Sequence, residues 1–344
     1  MGKVVEKIVA SWLLFDMGKY NLLPTTQFGG RPHSSCLDAG LALVNDISTA
    51  WKGGMVSTLL TLDIKGFFNH VQHGQLIWVL WHMGFPPQIC SWVLSFISDR
   101  SASLNIDNAL SDFFSIDVGV PQGSPVSPVL ACLYAAEPLH ILTRNLVFSG
   151  TGHPVGPRSY VDNLAFLTIS DSPGENIITL RHTLYTALDL FAEIGMKIDP
   201  DKSELIHFTW RKKPQHPPLS FTYQGKQITL SPPPSLRWLG FHLDSRLTFH
   251  NHIKIMAKKG SSVVQGLSCL GNTLHSMNQY HLHLLYKTCV IPVITYGCQL
   301  WFDPTNPPKS LIQIVQKVQN NTLRRIDPIN ITLPFSLIMC CNRT

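Results

Sequence analysis

The chain has 344 residues, 44% of them hydrophobic, and a net charge of +6. That apolar content excludes a disordered tail, and the length allows one large domain or two to three subdomains around a shared core. A pI of about 8.9 fits a nucleic-acid partner without requiring one. The eight cysteines include no Cys-x-x-Cys pair, so neither a zinc knuckle nor a thioredoxin-like site is supported. Reduced, buried thiols in an intracellular protein are the expectation. The start, Met1-Gly-Lys-Val-Val-Glu-Lys7, lacks the apolar core of a secretory signal. The longest apolar stretch, Leu76 to Ile97, is broken by His82, Gly84, Pro86, Pro87 and Gln88. No membrane span is expected.

In chain order, Val4, Val5, Ile8, Val9, Trp12 and Leu13 recur at helical spacing and predict an amphipathic opening helix. A polar loop, 23–35, leads to a helix over 36–51. Gly53-Gly54 ends it and launches the strand-like run Val56-Ser-Thr-Leu-Leu-Thr-Leu62. Residues 75–98 read as helix divided at 84–87, and 102–106 with 113–118 as a pair of short strands. Helix is expected over 129–146, then strand–turn–strand over 157–169 around Asp162. A long helix follows from Glu175 to Ile194, capped by Gly195, and a second strand–loop–strand over 196–208. After a linker at 211–218 come a hairpin, 219–230, turning at Gln224-Gly-Lys226, and a strand over 236–243. The pattern is helical from about 249 to 302 and from 309 to 326, which places a helical subdomain from about 245. Strands and helices in this order predict an α+β core, helices on one face of an antiparallel sheet.

Two carboxylates stand out. Asp63 ends one strand, and Asp162 sits between the apolar runs 157–161 and 164–169. A fold that unites them would hold divalent metal for phosphoryl transfer, because magnesium takes hard oxygen ligands on rigid supports. For either Asp alone, an exposed strand end is the commoner explanation. Between them lies Gly119-Val-Pro-Gln-Gly-Ser-Pro-Val-Ser-Pro128. Its glycine at 123 allows close backbone approach to a ligand, and Gln122 offers both a donor and an acceptor. A merely rigid turn is the alternative.

Taken together, Asp63-Ile-Lys-Gly-Phe-Phe-Asn69, the 119–128 loop and Tyr160-Val-Asp-Asn163 resemble the palm motifs of reverse transcriptases, of the kind encoded by non-LTR retrotransposons. The resemblance implies that Asp63 and Asp162 bind the metals, with help from the carbonyl of Ile64. It implies that Phe68 lies against the sugar of an incoming nucleotide and excludes a 2′-hydroxyl. Gln122 and Gly123 would brace that nucleotide. Asn163 stands where the family's hairpin usually has a second Asp, so the metal site carries less charge. Phe28-Gly-Gly-Arg-Pro-His-Ser-Ser35 resembles a fingers segment, with Arg31 as a phosphate or template contact. Gly195-Met-Lys-Ile-Asp-Pro-Asp-Lys-Ser-Glu204 resembles a segment whose lysine, here Lys202, lies near the triphosphate; Asp199 replaces a customary Asn. Leu236-Arg-Trp-Leu-Gly-Phe-His-Leu-Asp244 is similar to the primer grip, a strand pair under the primer's terminal nucleotide, implying that Trp238, Leu239 and Gly240 meet the primer. Lys254 and Lys258, on one thumb helix, would meet phosphates. The string from Leu285 to Trp301 resembles the thumb of non-LTR elements, not the retroviral, telomerase or group II intron branches.

The implied architecture is a right-hand polymerase fold. Its parts would be partial fingers over 1–55, palm over 56–210, a hairpin and primer-grip region over 211–245, helical thumb over 246–326, and a divergent tail over 327–344. The implied activity is RNA-directed DNA synthesis by two-metal nucleotidyl transfer, with two Mg2+ ions or Mn2+ in their place. The implied partners are an RNA template, a DNA primer or target and deoxynucleoside triphosphates, in the cytoplasm and nucleus and not at a membrane. The first fingers motif, an endonuclease and an RNase H find no place in the 344 residues, as expected of a truncated element copy. Two readings stay open: a working polymerase, and a nucleic-acid-binding remnant without turnover. An unrelated α+β binding protein would need every ordered match to be accidental.

Overall fold

The computed structural model describes residues 2–107, 109–144, 147–148, 154–212, 215–273 and 279–326. The expected divergent tail, 327–344, lies outside them. The chain divides into two compact units, 1–234 and 235–344.

The first unit opens with α1 (Gly2–Lys19) and α2 (Cys36–Lys52). On α1 only Val9, Ala10, Leu13 and Met17 are buried, while Val4, Val5, Ile8, Trp12 and Phe15 face solvent. The helical spacing was legible; the face it buries was not. Ser35 starts α2 with a capping box, its hydroxyl taking the Asp38 N–H while the Asp38 carboxylate takes the Ser35 N–H. Next come β1 (Val56–Lys65), α3 (His73–His82) and α4 (Pro87–Ile97). The expected strand pair at 102–118 is two nested hairpins: β2 (Arg100–Ala102) pairs with β5 (Phe114–Ile116), and β3 (Asn105–Ile106) with β4 (Ala109–Leu110). The helix expected over 129–146 is broken at Ala135 into α5 (Ser127–Tyr134) and α6 (Ala136–Arg144).

The central sheet adds β6 (Val147–Phe148), β7 (Pro154–Tyr160), β8 (Asn163–Ser170) and, after α7 (Pro173–Glu193), β9 (Lys197–Phe208). Its order is β6-β7-β8-β1-β9, antiparallel throughout. Every residue of β1 from Val56 to Leu62 is buried. Both faces of the central strand are therefore covered, where the sequence pattern predicts helices on one face only. Ser172 caps α7, accepting from the Glu175 N–H, and Asn176 donates to the Val56 carbonyl at 2.9 Å. His207, opposite Thr58 and fully buried, has both ring nitrogens occupied, by the Thr58 hydroxyl and the Pro217 carbonyl. Burial holds its pKa below the ordinary imidazole value. The hairpin β10 (Leu219–Tyr223) and β11 (Lys226–Leu230) completes the unit, turning at Gln224-Gly225 as predicted.

The second unit begins with what the sequence pattern reads as one strand. It is a hairpin, β12 (Ser235–Trp238) and β13 (Phe241–Asp244). Leu239 and Gly240 both have positive φ, the signature of a two-residue type I′ turn. The rest is helical: α8 (His250–Thr273), α9 (Gln279–Leu285), a π-helical turn (Tyr286–Val290), α10 (Ile291–Ile294), a 3-10 turn (Cys298–Leu300) and α11 (Lys309–Ile326). Among the described residues, five cysteines are free thiols, and no helix is long and apolar enough to cross a membrane.

The central strand contributes Leu60, Leu62 and Ile64 to the hydrophobic core of the first unit. Leu60→Ala, at a fully buried position of β1, is expected to cost about 2–5 kcal/mol, read as a lowered urea midpoint with an unchanged slope.

Candidate active site

Asp63 lies where β1 leaves the core: Leu62 is buried, Asp63 half-buried, Lys65 exposed. On one side its cross-strand partner is Asn163 of β8; on the other it is Asp199 of β9. The two-residue turn joining β7 to β8 carries Asp162, whose backbone carbonyl accepts the Ile64 N–H at 3.2 Å. The predicted residues Asp63, Ile64, Asp162 and Asn163 therefore meet at one end of the sheet.

Lys202 joins them through an irregularity in β9. Two steps along β1, Thr61 to Asp63, face five along β9, Glu204 to Asp199. The surplus residues bulge out, as the predicted strand–loop–strand requires, and Pro200 suits the bulge because it has no N–H to place in a ladder. The bulge is tied to its base: Asp199 Oδ1 accepts the Asp201 N–H at 3.2 Å, and the Ser203 hydroxyl donates to the Asp199 carbonyl at 2.9 Å. Lys202 Nζ then reaches Asp63 Oδ2 at 2.9 Å and lies 3.9 Å from Asp199 Oδ2. This contact raises the lysine pKa, first through the hydrogen bond to Asp63 and then through its charge.

Burial pushes the Asp162 carboxyl above the ordinary value, and the Asp63 charge pushes it the same way. Its own backbone N–H, the Asn163 amide and the Lys202 charge oppose the shift. The Asn163 amide donates to Asp162 Oδ1 at 3.0 Å. Donors at the site are hard oxygens, which suits a divalent cation. Among the described residues, though, no group of three His, Cys, Asp or Glu side chains is assembled to hold a metal. Two carboxylates plus substrate phosphates form a donor set that Mg2+ commonly accepts.

The 119–128 loop is docked beside this end of β1. Gly119, at φ +80°, donates its N–H to Val71, and a Cβ there would stand 2.9 Å from the Asn69 Cα. Val120 donates to the Phe68 carbonyl at 2.8 Å. Gln122 is exposed and donates to Asn69 Oδ1 at 3.3 Å, a contact between the loop and the segment after β1. Gly123 has open space around its Cβ position, and its carbonyl accepts from Lys3. Phe68 is half-buried, edge-on to Phe67.

Some expected residues lie elsewhere. Arg31 is half-buried and spends one N–H on the Pro24 carbonyl at 3.2 Å, within its own loop. In the second unit the Trp238 side chain is 2% exposed, so the indole packs in the core. Leu239 and Gly240 form the turn, held by the Tyr296 hydroxyl donating to the Leu239 carbonyl at 2.6 Å. Lys254 and Lys258 are exposed one turn apart on α8. His252, in the triplet His250-Asn-His252, is a buried core residue bonded to the Tyr296 carbonyl, and burial lowers its pKa.

Sequence reasoning missed the brace behind the Asp162 turn. Phe28 donates its N–H to the Ser159 carbonyl and Ser159 returns one to Thr26, so residues 26–28 lie along the edge of β7. The buried Gln27 side chain accepts from the Ser159 hydroxyl, donates to the Gly29 carbonyl at 2.9 Å and touches Cys132 Sγ. Burial lifts that thiol to about 12, so it stays protonated. Val161 holds φ +58°, a rare conformation for a β-branched residue. A Cβ on Gly29 would stand 2.7 Å from the Val161 nitrogen. Only the Gly29-Gly30 pair hinted at this close approach. Gly29→Ala is expected to cost about 1–3 kcal/mol by overpacking against backbone. Gly18→Ala, in open space on α1, should leave the urea midpoint unchanged or raised.

The family model for reverse transcriptase (RNA-dependent DNA polymerase) matches residues 1–243. The probable RNA-directed DNA polymerase from transposon BS of Drosophila melanogaster is 27% identical over 331 residues, 95% of this chain and 35% of that protein. The RNA-directed DNA polymerase from mobile element jockey of the same species is 27% identical over 330 residues, 95% of this chain and 34% of that protein. The chain thus spans about a third of the length of these curated relatives. A solved telomerase from Candida albicans, in complex with a TWJ fragment of telomeric RNA, matches in fold with TM-score 0.53 and 12% identity. The match covers 96% of this chain and 49% of the telomerase chain. With the model matching more than two thirds of its length, the chain belongs to the reverse transcriptase family, in the group of non-LTR retrotransposon polymerases.

Proposed function

We propose that this chain performs RNA-templated DNA synthesis at the end of β1, with Asp63 and Asp162 as the residues that hold divalent metal. The observation that carries the reading is the meeting of Asp63, the Asp162 turn and Lys202 at one sheet end. Members of this family use divalent metal ions; here we assign two Mg2+, with Mn2+ as a substitute. When bound, the metal activates a primer 3′-hydroxyl and neutralises triphosphate oxygens.

The remaining work falls to side chains. Lys202 holds an exposed ammonium beside Asp63, suited to the charge of a leaving pyrophosphate and to giving it a proton. Phe68 offers an aromatic wall to the sugar, and Gln122 and Gly123 an amide and an open backbone to the nucleotide. Arg31 holds its loop in shape through the Pro24 carbonyl and is assigned a template or phosphate contact. In the second unit, the Leu239-Gly240 turn, with Trp238 anchoring it, takes the primer, and Lys254 and Lys258 take backbone phosphates. On this reading 1–55 are partial fingers, 56–210 palm, 211–245 hairpin and primer grip, and 246–326 thumb. Substrates are an RNA template, a DNA primer and deoxynucleoside triphosphates, and the working compartments are cytoplasm and nucleus.

A second reading, a nucleic-acid-binding remnant, is favoured by one observation: Asn163 brings no charge and gives its amide to Asp162. Primer extension on an RNA template with Mg2+ or Mn2+ separates the two. Extension is expected, with Asp63→Ala lowering it at least roughly 100-fold, beyond the loss of an outer-sphere partner. Asn163→Asp should lower the metal concentration needed. Primer–template binding without extension by the wild type and the Asn163→Asp variant would establish the remnant instead.

A further inference from the structure

Asp63 has one carboxylate neighbour on each side, and the two are not equivalent. Asp162 lies on the β8 side, in the turn that accepts the Ile64 N–H. Asp199 lies on the β9 side, directly opposite Asp63 in register. Like charges opposite each other on adjacent strands repel. Lys202 relieves that repulsion, 2.9 Å from one carboxylate and 3.9 Å from the other. Yet it occupies Asp63 Oδ2, one of the two oxygens that Asp63 offers a divalent cation. An ammonium and a dication on one carboxylate oxygen repel strongly, so the lysine has to leave before metal settles.

We propose that Asp199 is a positioning residue that receives the Lys202 ammonium when metal takes Asp63, which clears the metal seat while keeping the cation at the site. This rests on the reading of Asp63 as a metal ligand. The geometry suits the transfer. The Lys202 side chain is 65% exposed, and Nζ need approach Asp199 by only about 1 Å to reach an ordinary charge-assisted distance. The movement is away from Asp162, toward β9. Because Asp199 Oδ1 also accepts the Asp201 N–H, its carboxylate is fixed by the bulge that carries Lys202, and lysine and receiver stay in register.

Mn2+ binding to the full chain, followed by electron paramagnetic resonance, tests this without catalysis. Asp199→Asn keeps the acceptor for the Asp201 N–H and removes only the charge. It is expected to weaken Mn2+ binding about fivefold, the scale of one exposed ion pair, because Lys202 then has only Asp63. In a Lys202→Met background the same substitution should change binding by less than about twofold. Asp199→Glu should restore most of the loss. Equal weakening with and without Lys202 would overturn the proposal, since Asp199 would then act on the metal directly; so would no effect in either background. Asp63→Ala should abolish Mn2+ binding, leaving the full six-line signal of free Mn2+, and binding that survives it would sink the metal-site reading itself.

Discussion

The register of β1 between β8 and β9 is the constraint on which the rest depends. Side chains alternate along a strand, so a slip of one residue would turn Asp63 to the other face and set it against Leu164 or Ile198. That slip would also move Leu62 and Leu60 from the contacts they fill to the opposite buried face, where other side chains already pack. Burial of the whole run from Val56 to Leu62 therefore fixes the position of the first polar residue beyond it. Hydrophobic packing sets the site here, and the carboxylates come into place because they stand where the packing stops. A site built at the end of a strand buried on both faces is also better located than one on a loop.

What packing cannot fix is the turn. Val161 stays in the left-handed region at a cost of order 1–3 kcal/mol, and the surroundings hold it there. Residues 26–29 run along β7, Gln27 links Ser159 to Gly29, and Gly29 leaves no room for the turn to relax toward it. From the other side, Ile64 holds the Asp162 carbonyl. The 119–128 loop is fixed in the same manner, through Gly119 and Val120 to residues 68–71 and through Ser124 to Glu6 on α1. Segments far apart in sequence thus converge to stiffen two short stretches.

Legibility in the sequence followed the range of the interactions. The hairpin turning at Gln224-Gly225 was readable because local turn chemistry specifies it, and Asp63, Asp162 and the 119–128 loop because they lie in short contiguous motifs that resemble those of a known family. Pattern alone reads the Leu236–Leu243 run as one strand, whereas the resemblance to the primer grip implied the strand pair that is there; its turn at Leu239-Gly240 is held by Tyr296, 57 residues away. Trp238 is named with the primer-contacting residues, yet its indole is core. The brace from Gln27 to Ser159 spans 132 residues and leaves no local mark. On α1, apolar residues at helical spacing suggested a buried face, but spacing alone does not say which of two apolar stripes finds a partner. The depth of the β9 bulge, and with it the Lys202–Asp63 contact, became visible only through strand register.

Asn163 acquires a meaning from that register. It stands directly opposite Asp63 and next to Asp162, whose carboxyl burial already pushes up. A carboxylate at 163 would add a like charge across from Asp63 and beside Asp162, raising both repulsions. The amide avoids them and adds a donor to Asp162 Oδ1. On the opposite flank the like-charge pair Asp63–Asp199 is retained, with Lys202 between. One cation, Lys202, thus lies against both members of that pair. The consequence for function is a division of labour. Among the described residues no three such side chains are grouped to hold a metal, so on the proposed reading a metal on Asp63 and Asp162 would take its further oxygens from backbone, water and triphosphate, which would tie metal affinity to nucleotide binding.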